Sequence, residues 1–244
     1  MGFAFGAKEK RAELMMTHCG IDLNQAWLHY MESREASQSP EFKLKVIEMA
    51  QQVLSGLKKL HEIGYCHWDM KLDNICLTNG FYYLIDFALA QRIMSPHSTE
   101  ASYRKIRYFK GNSMFASIRK YKVHPLAAPI DDIESFLYLV CFCMDEFYLP
   151  WLNDYIKQTS TDQFIANRLR KHERHHQYLY QQMPGPLSQA LQYVHRLNER
   201  NQTQHDKEKA ADKARQKEGK PPLKRSGPSK EIQPDCDFLM GLFD

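Results

Sequence analysis

The sequence predicts an α+β chain in which α dominates: a helical body carrying one small β-hairpin. Three observations predict it. Val46, Ala50, Val53, Leu57 and Leu60 repeat with helical spacing, and Ile47 and Leu54 broaden the stripe. Two short β-prone runs, Ile75 to Leu77 and Phe81 to Ile85, flank Asn79-Gly80, a dipeptide that tolerates the positive φ a tight hairpin turn needs. Phe136, Leu137, Leu139, Val140 and Phe142 belong to a nearly all-apolar run, the mark of a helix buried on every side.

In chain order, Ala12 to Met16 reads as a short buried strand, THCG as a connector, and Asp22 as the cap of a helix through Leu23, Trp27 and Leu28. Ser39-Pro40-Glu41 starts the long amphipathic helix: the Ser oxygen accepts from free amides, Pro fits the first turn and Glu opposes the dipole. Gly64 ends it as a left-handed cap. Gln91 to Arg119 is irregular and basic and reads as a long surface loop. The buried helix begins near Asp131 and Asp132, which serve as caps, and LPW at Leu149 to Trp151 breaks the chain. Asp162 to Tyr180 is helical and charged. Pro184-Gly185-Pro186 is a turn before a helix from Leu187 to Leu197. Residues 199–231 are rich in Lys, Glu, Asp, Gln and Ala and lack apolar periodicity, which reads as a charged, solvated or disordered insertion. PDCDFLMGLF, within 232–244, is apolar again and is expected to dock back as a terminal helix.

The 244 residues suffice for one sizeable domain or two small ones, and 43% hydrophobic with 25% charged residues is ordinary for a globular protein. A net charge of +4 does not by itself argue for nucleic acid, and no nucleic-acid partner is expected. The six cysteines form no CxxC pair and read as buried thiols rather than as a disulfide or zinc framework. No signal peptide opens the sequence, no apolar run is long enough to span a bilayer, and MGFAFG lacks the Ser or Thr of a myristoylation site. No membrane partner is expected, and the compartment expected is cytoplasm or nucleus.

The chemistry concentrates in His67 to Ala90, HWDMKLDNICLTNGFYYLIDFALA. A two-residue turn at Asn79-Gly80 puts Ile75 across from Leu84, so Asn74 and Asp86 flank the open end of the hairpin. An amide oxygen beside a carboxylate suits Mg²⁺, a hard cation that takes few protein oxygens and keeps phosphate oxygens as further ligands. Asp69, on the loop before the first strand, is placed to accept a proton from an attacking hydroxyl, and Lys71 to offset the charge of a transferring phosphoryl group. KHERHH at Lys171 to His176 sets His172 and His176 four apart; lacking an acidic or Cys partner at proper spacing, it reads as a solvated helix face rather than a metal site.

The order H-x-D-x-K-x-x-N, hairpin, D-F resembles the catalytic loop and metal-binding motif of protein kinases. GNSMFAS at Gly111 to Ser117, DDIES at Asp131 to Ser135, LPW and the terminal PDCDFLMGLF are similar to landmarks of the casein kinase 1 family, from about Leu14 to Phe243. The resemblance implies the helical large lobe of that fold (14–198), with 1–13 as a remnant of the small lobe. It implies ATP and Mg²⁺ as cofactors and protein substrates or docking partners. It makes Asp69 the catalytic base, Lys71 a phosphate contact, Asn74 and Asp86 the magnesium ligands, and His67 and Asp132 structural supports. Met16, Thr17, His18 and Cys19, with Gly20, would be the hinge that meets adenine.

The sequence also departs from the family. Trp68 stands where the family has an Arg that commonly pairs with a phosphate on the activation loop. Ala88 replaces the Gly after Asp-Phe, Asn112 a Thr that helps tie the catalytic loop to the activation segment, and Met114 and Ile130 two Arg residues. Arg104, Lys105, Arg107, Lys110, Arg119 and Lys120 are candidates to compensate in binding anions, or else a solvated basic loop. About fifteen residues precede the hinge-like stretch, and they hold neither G-x-G-x-x-G-x-V nor an assignable strand Lys. Two readings follow: a serine/threonine kinase by lineage, weak or inactive as this chain alone, or a non-catalytic pseudokinase that serves as an interaction or scaffold protein.

Overall fold

The computed structural model describes residues 2–5, 12–15, 18–93, 109–121, 127–145, 148–158, 160–217 and 232–244. Strands β1 (Gly2–Phe5) and β2 (Ala12–Met15) pair antiparallel, Gly2 opposite Met15 and Phe5 opposite Ala12. β1 carries no strand signal that the sequence made visible.

β3 (Ile21–Asp22) leads directly into α1 (Leu23–Ala26), where the Asp22 carboxylate accepts from Gln25 N, as expected of a cap. α2 (Leu28–Met31) and α3 (Arg34–Ser37) are single turns. α4 (Pro40–Glu62) begins with the Ser39 hydroxyl accepting from Phe42 N at 3.2 Å. Its stripe buries Phe42, Val46, Met49, Ala50, Val53, Leu54 and Leu57. Gly64 takes φ 88° past its end and donates to the His61 carbonyl, the left-handed stop the sequence predicts.

β4 (Tyr65–Cys66) pairs with β7 (Gln91–Arg92). Between them lies the hairpin of β5 (Ile75–Thr78) and β6 (Phe81–Leu84), with β3 on the other side of β5. Asn79 and Gly80 adopt φ 50° and 78°, and Ile75 faces Leu84, as the dipeptide predicts.

α5 (Pro129–Met144) is the buried axis: every residue from Pro129 to Cys141 is shielded from solvent. The helix starts two residues before the predicted acidic caps. Ala128 is the N-cap, and the Asp131 carboxylate, inside the first turn, accepts from Ala128 N at 3.1 Å. Leu149 and Trp151 are core residues, and Trp151 donates its indole N–H to the Met114 carbonyl at 2.8 Å. α6 (Leu152–Ile156) follows. The predicted single charged helix is two, α7 (Thr161–Arg170) and α8 (His172–Gln182), separated at Lys171.

α9 (Gly185–Lys217) corrects the sequence reading twice. Gly185 and Pro186 form its first turn rather than ending a separate turn, since Pro is tolerated where amide partners are lacking anyway. The charged stretch after Leu197 continues the helix to Lys217 because Ala, Lys, Glu, Gln and Arg are strong helix formers that need no apolar face. Residues 218–231 lie outside the described part. The chain returns at Ile232, which Asn201 grips from both sides: Asn201 Nδ2 donates to Ile232 O at 3.1 Å and Ile232 N donates to Asn201 Oδ1 at 3.0 Å. α10 (Cys236–Gly241) docks back as expected, capped by Asp235, with Asp237 on Lys58 of α4 at 2.7 Å.

None of the six cysteines is in a disulfide; five are buried and Cys19 is half-buried. Among the described residues no helix is long and apolar enough to cross a membrane.

Candidate active site

The loop from His67 to Lys71 is held from below by α5. Asp132, 1% exposed, accepts from His67 N at 2.7 Å through one oxygen and from Trp68 N at 2.8 Å through the other. The first of these oxygens also lies 2.9 Å from His61 Nε2, a contact the sequence reading missed. His67 is fully buried, with Nε2 2.9 Å from the Ile85 carbonyl and Nδ1 accepting from Asp69 N. It thus ties the loop to the far strand of the hairpin.

Asp69 is buried at the centre. Its Oδ1 accepts from Asn112 N at 2.7 Å, and its Oδ2 accepts from Asn74 Nδ2 at 3.1 Å and lies 3.7 Å from Lys71 Nζ. The Asn74 amide also donates to the Asp69 carbonyl at 2.9 Å. Because the amide nitrogen is spent on Asp69, the oxygen of Asn74 is the atom left to meet a cation. Ile85 N donates to Asn74 O at 3.0 Å, which locks the two strand ends side by side. Asp86 follows at once, in the left-handed region at φ 59°, its carboxylate accepting from Ala88 N at 3.2 Å. Asp tolerates that conformation better than most residues. Ala88 does not adopt it, so its methyl meets no backbone penalty there.

The hinge-like stretch is only partly described. Met16 and Thr17 lie outside the described residues; His18 is exposed and Cys19 half-buried. Gly20, at φ 88°, passes so close to β5 that a Cβ would sit 2.3 Å from the Leu77 carbonyl oxygen. That approach admits only glycine and brings His18 to Gly20 beside the hairpin strand that carries Cys76.

Residues 109–121 overturn the expectation of a surface loop up to Arg119. Ser113 to Ser117 are buried against α5, where Ser117 donates to Asp131 Oδ1 at 2.8 Å and Ile118 N to Glu134 Oε1 at 3.1 Å. Polar partners, invisible in local patterning, hold this segment down. Asn112 ties it to Asp69 through its main-chain N–H, while its side chain accepts from Phe115 N; the link the family makes with a Thr is made here by backbone. Met114 and Ile130 are buried core residues. Of the candidate basic set, Arg119 lies 3.6 Å from Asp131 and Lys120 is only 5% exposed, so neither is a solvated loop cation. Lys110 is exposed, and Arg104, Lys105 and Arg107 lie outside the described residues.

KHERHH is likewise not a solvated face. His176 stacks on His195 of α9 with ring centroids 3.6 Å apart. Tyr138 of α5 donates to Glu134 at 2.8 Å and lies 3.1 Å from Nε2 of each of these two histidines. Burial and the adjacent His195 ring press the His176 pKa down; burial, then Arg168, pushes His195 down to about 3. The glutamate and second histidine come from other helices, so no local spacing could signal the cluster.

An Asp fixed beside a Lys and an Asn, a second Asp beside that Asn at the open end of the hairpin, and a loop anchored to a buried helix are the arrangement that the resemblance to a kinase large lobe implies. Comparison with known proteins agrees. The family model for the protein kinase domain matches residues 4–117. A Caenorhabditis elegans protein described as a casein kinase I is 32% identical over 114 residues, covering 45% of this chain and 33% of its own length. A probable serine/threonine-protein kinase of Dictyostelium discoideum is 28% identical over 173 residues, 68% of this chain and 33% of that protein. A probable casein kinase I homolog of Encephalitozoon cuniculi is 32% identical over 122 residues, 46% of this chain and 38% of that protein. The chain thus spans about a third of the length of the first two relatives. These matches support a protein kinase superfamily member that carries part of that domain.

Proposed function

We propose that the chain is the large-lobe part of a casein kinase 1-type serine/threonine kinase, which transfers the γ-phosphoryl of ATP to protein hydroxyls. The observation that carries this reading is the Asn74 amide, which donates to both the carbonyl and the carboxylate of Asp69, so that its oxygen is the atom left to meet a cation. Asp69 is the base. Its two oxygens are fixed by Asn112 N–H and Asn74, yet a carboxylate has about four lone-pair sites, and those remaining accept the proton of the substrate hydroxyl. Lys71 offsets charge on the phosphoryl group in transit. Asn74 and Asp86 supply the oxygens that suit Mg²⁺, which when bound neutralises phosphate charge. His67 and Asp132 hold the loop, and His18 and Cys19 belong to the stretch facing adenine, with Met16 and Thr17.

These 244 residues contain no G-x-G-x-x-G-x-V loop and no strand Lys assignable to the α and β phosphates. Such clamps are worth orders of magnitude in rate, so this chain alone is expected to transfer phosphate weakly or not at all. That same observation favours the second reading, a non-catalytic interaction protein. Radiolabelled transfer to a generic protein substrate with Mg-ATP, beside Asp69→Asn, tests both. Transfer lost in the variant supports the kinase reading, transfer that survives in Asp69→Asn refutes it, and none in either, together with no Mg-dependent ATP binding, supports the interaction protein.

A further inference from the structure

Trp68 is the most strained residue of the site. It adopts φ 69°, a region where a bulky side chain is a genuine outlier, at a cost of about 1–3 kcal/mol that the surroundings must hold. Both of its backbone groups are gripped. Asp132 takes its N–H at 2.8 Å, and the Lys120 ammonium donates to its carbonyl oxygen. Lys120 Nζ also sits 4.9 Å from the centroid of the Trp68 ring and 5.7 Å from that of Phe109. This is an aromatic seat for a buried cation, which is worth more when desolvated. Burial lowers the Lys120 pKa, and the nearby carboxylates of Asp132, Asp69 and Asp131 oppose that shift and favour its charge. Gly111 gives the space: at φ 98°, a Cβ there would lie 2.9 Å from Asp69 Oδ1 and 3.5 Å from Lys120 Nζ.

The carbonyl that Lys120 holds is the one that joins Trp68 to Asp69. We propose that Lys120 is a positioning residue for Asp69. From the segment that follows Asn112, its ammonium clamps the Trp68–Asp69 peptide in its strained orientation and thereby fixes the carboxylate against Asn112 and Asn74. The cation that the resembled family carries on the loop, at position 68, is here carried by the segment, with the aromatic ring and carbonyl acceptor on the loop. In its catalytic meaning the inference rests on the kinase reading above; in its structural meaning it does not.

The test compares the full chain with Lys120→Met, which keeps the length of the side chain, and Lys120→Arg, which keeps the charge. Amide hydrogen exchange reads the clamp, and phosphotransfer reads the chemistry. Loss of a charged hydrogen bond to a strained peptide should speed exchange at the Asn112 and Trp68 amides by at least about tenfold in Lys120→Met, with Lys120→Arg within about threefold of the parent. Where the parent transfers phosphate, kcat should fall in the same order while KM for ATP stays, the signature of an interaction that acts on the chemical step. Parent-like exchange in Lys120→Met overturns the inference. Faster exchange in that variant upholds the clamp whether or not any of the three transfers phosphate; the kinase reading fails separately, on absence of both transfer and Mg-dependent ATP binding by the parent. Should Lys120→Met fail to fold, the parent decides alone. A buried, bonded ammonium over an indole gives a slowly exchanging side-chain nitrogen signal with an upfield proton shift, and absence of that signal overturns the clamp.

Discussion

Asn112 donates its main-chain N–H to Asp69 Oδ1 at 2.7 Å, so the residue proposed as the base is oriented by the backbone of a segment more than forty positions downstream. A side-chain tie can be lost by a single substitution; a backbone tie survives any residue that keeps the local turn. Asn112 keeps it by accepting from Phe115 N through its own side chain. This separates what Asp69 does for the fold from what it does for chemistry. Asp69→Asn retains an oxygen for Asn112 and is expected to change unfolding free energy by only about 1 kcal/mol while abolishing whatever transfer the parent shows. Asp69→Ala leaves Asn112 N–H and the Asn74 amide without that acceptor and should cost about 1–3 kcal/mol more. Urea denaturation beside the transfer assay checks the pair; equal stabilities for the two variants would show that the carboxylate does not hold the segment.

Gly111→Ala should act on the site without replacing a charged group. The left-handed φ of 98° penalises any Cβ, and that Cβ would sit 2.9 Å from Asp69 Oδ1 and 3.3 Å from the Trp68 carbonyl oxygen. A destabilisation of about 1–3 kcal/mol is expected, with faster amide exchange at Asn112. Gly80→Ala is the contrast: φ there is 78°, but nothing lies within 4 Å of an added methyl, so it should incur the backbone penalty alone and leave Asn112 protected.

Asp132→Ala removes the acceptor of two buried amides, His67 N and Trp68 N, and the partner of His61. Each buried donor left unsatisfied costs about 1–3 kcal/mol, so the sum should reach about 3 kcal/mol or more. Asp132→Asn keeps one of the two acceptors and should fall between. The measurement is the urea midpoint, and a loss below about 1 kcal/mol would mean that the loop is held elsewhere.

The hairpin, its register and the long helix α4 were legible because each rests on chemistry local to a few residues: positive φ at Asn79-Gly80, and a capping hydroxyl before Pro40. The juxtaposition of Asn74 and Asp86 followed from the hairpin alone. Segment 109–121 was illegible for the opposite reason. Its burial depends on Asp131, Glu134 and Ser135 of α5, whose approach no local pattern encodes. Lys120 looked like one of several loop cations because nothing in its neighbourhood of sequence announces Trp68 as its seat. The helix beyond Leu197 was missed because apolar periodicity reports a helix that packs, and past Asn201 the described residues of this stretch are mostly exposed; the propensity of its Ala, Lys, Glu and Arg was the signal to use.

The histidine cluster makes the stability of the helical body depend on pH in a stated direction. Burial, then Arg168 and Lys171, pushes His175 down to about 4, and burial, then Arg168, pushes His195 down to about 3. His176 is lowered by burial and by the stacked His195 ring. In the unfolded chain these imidazoles titrate near about 6.5. Below that pH the unfolded state binds protons that the fold refuses. Stability is therefore complete above about pH 6.5 and is lost as pH falls toward the folded values, by about 1.4 kcal/mol per pH unit for each group well below 6.5. Glu134, which faces the same cluster through Tyr138, works against this. Burial raises its pKa, so the fold takes up its proton first on acidification and part of the loss is offset. The net expectation is a urea midpoint that is flat from pH 8 to about 7 and falls from about 6 to about 5, with a slope of one to two protons. Replacing His195 by Phe should reduce that slope by about one proton, even though it also lowers stability at pH 8 by breaking the contacts to Tyr138 and Tyr180. A parent midpoint that does not move between pH 7 and 5 would show that these rings accept protons as readily folded as unfolded, and would remove the buried cluster as a determinant of stability.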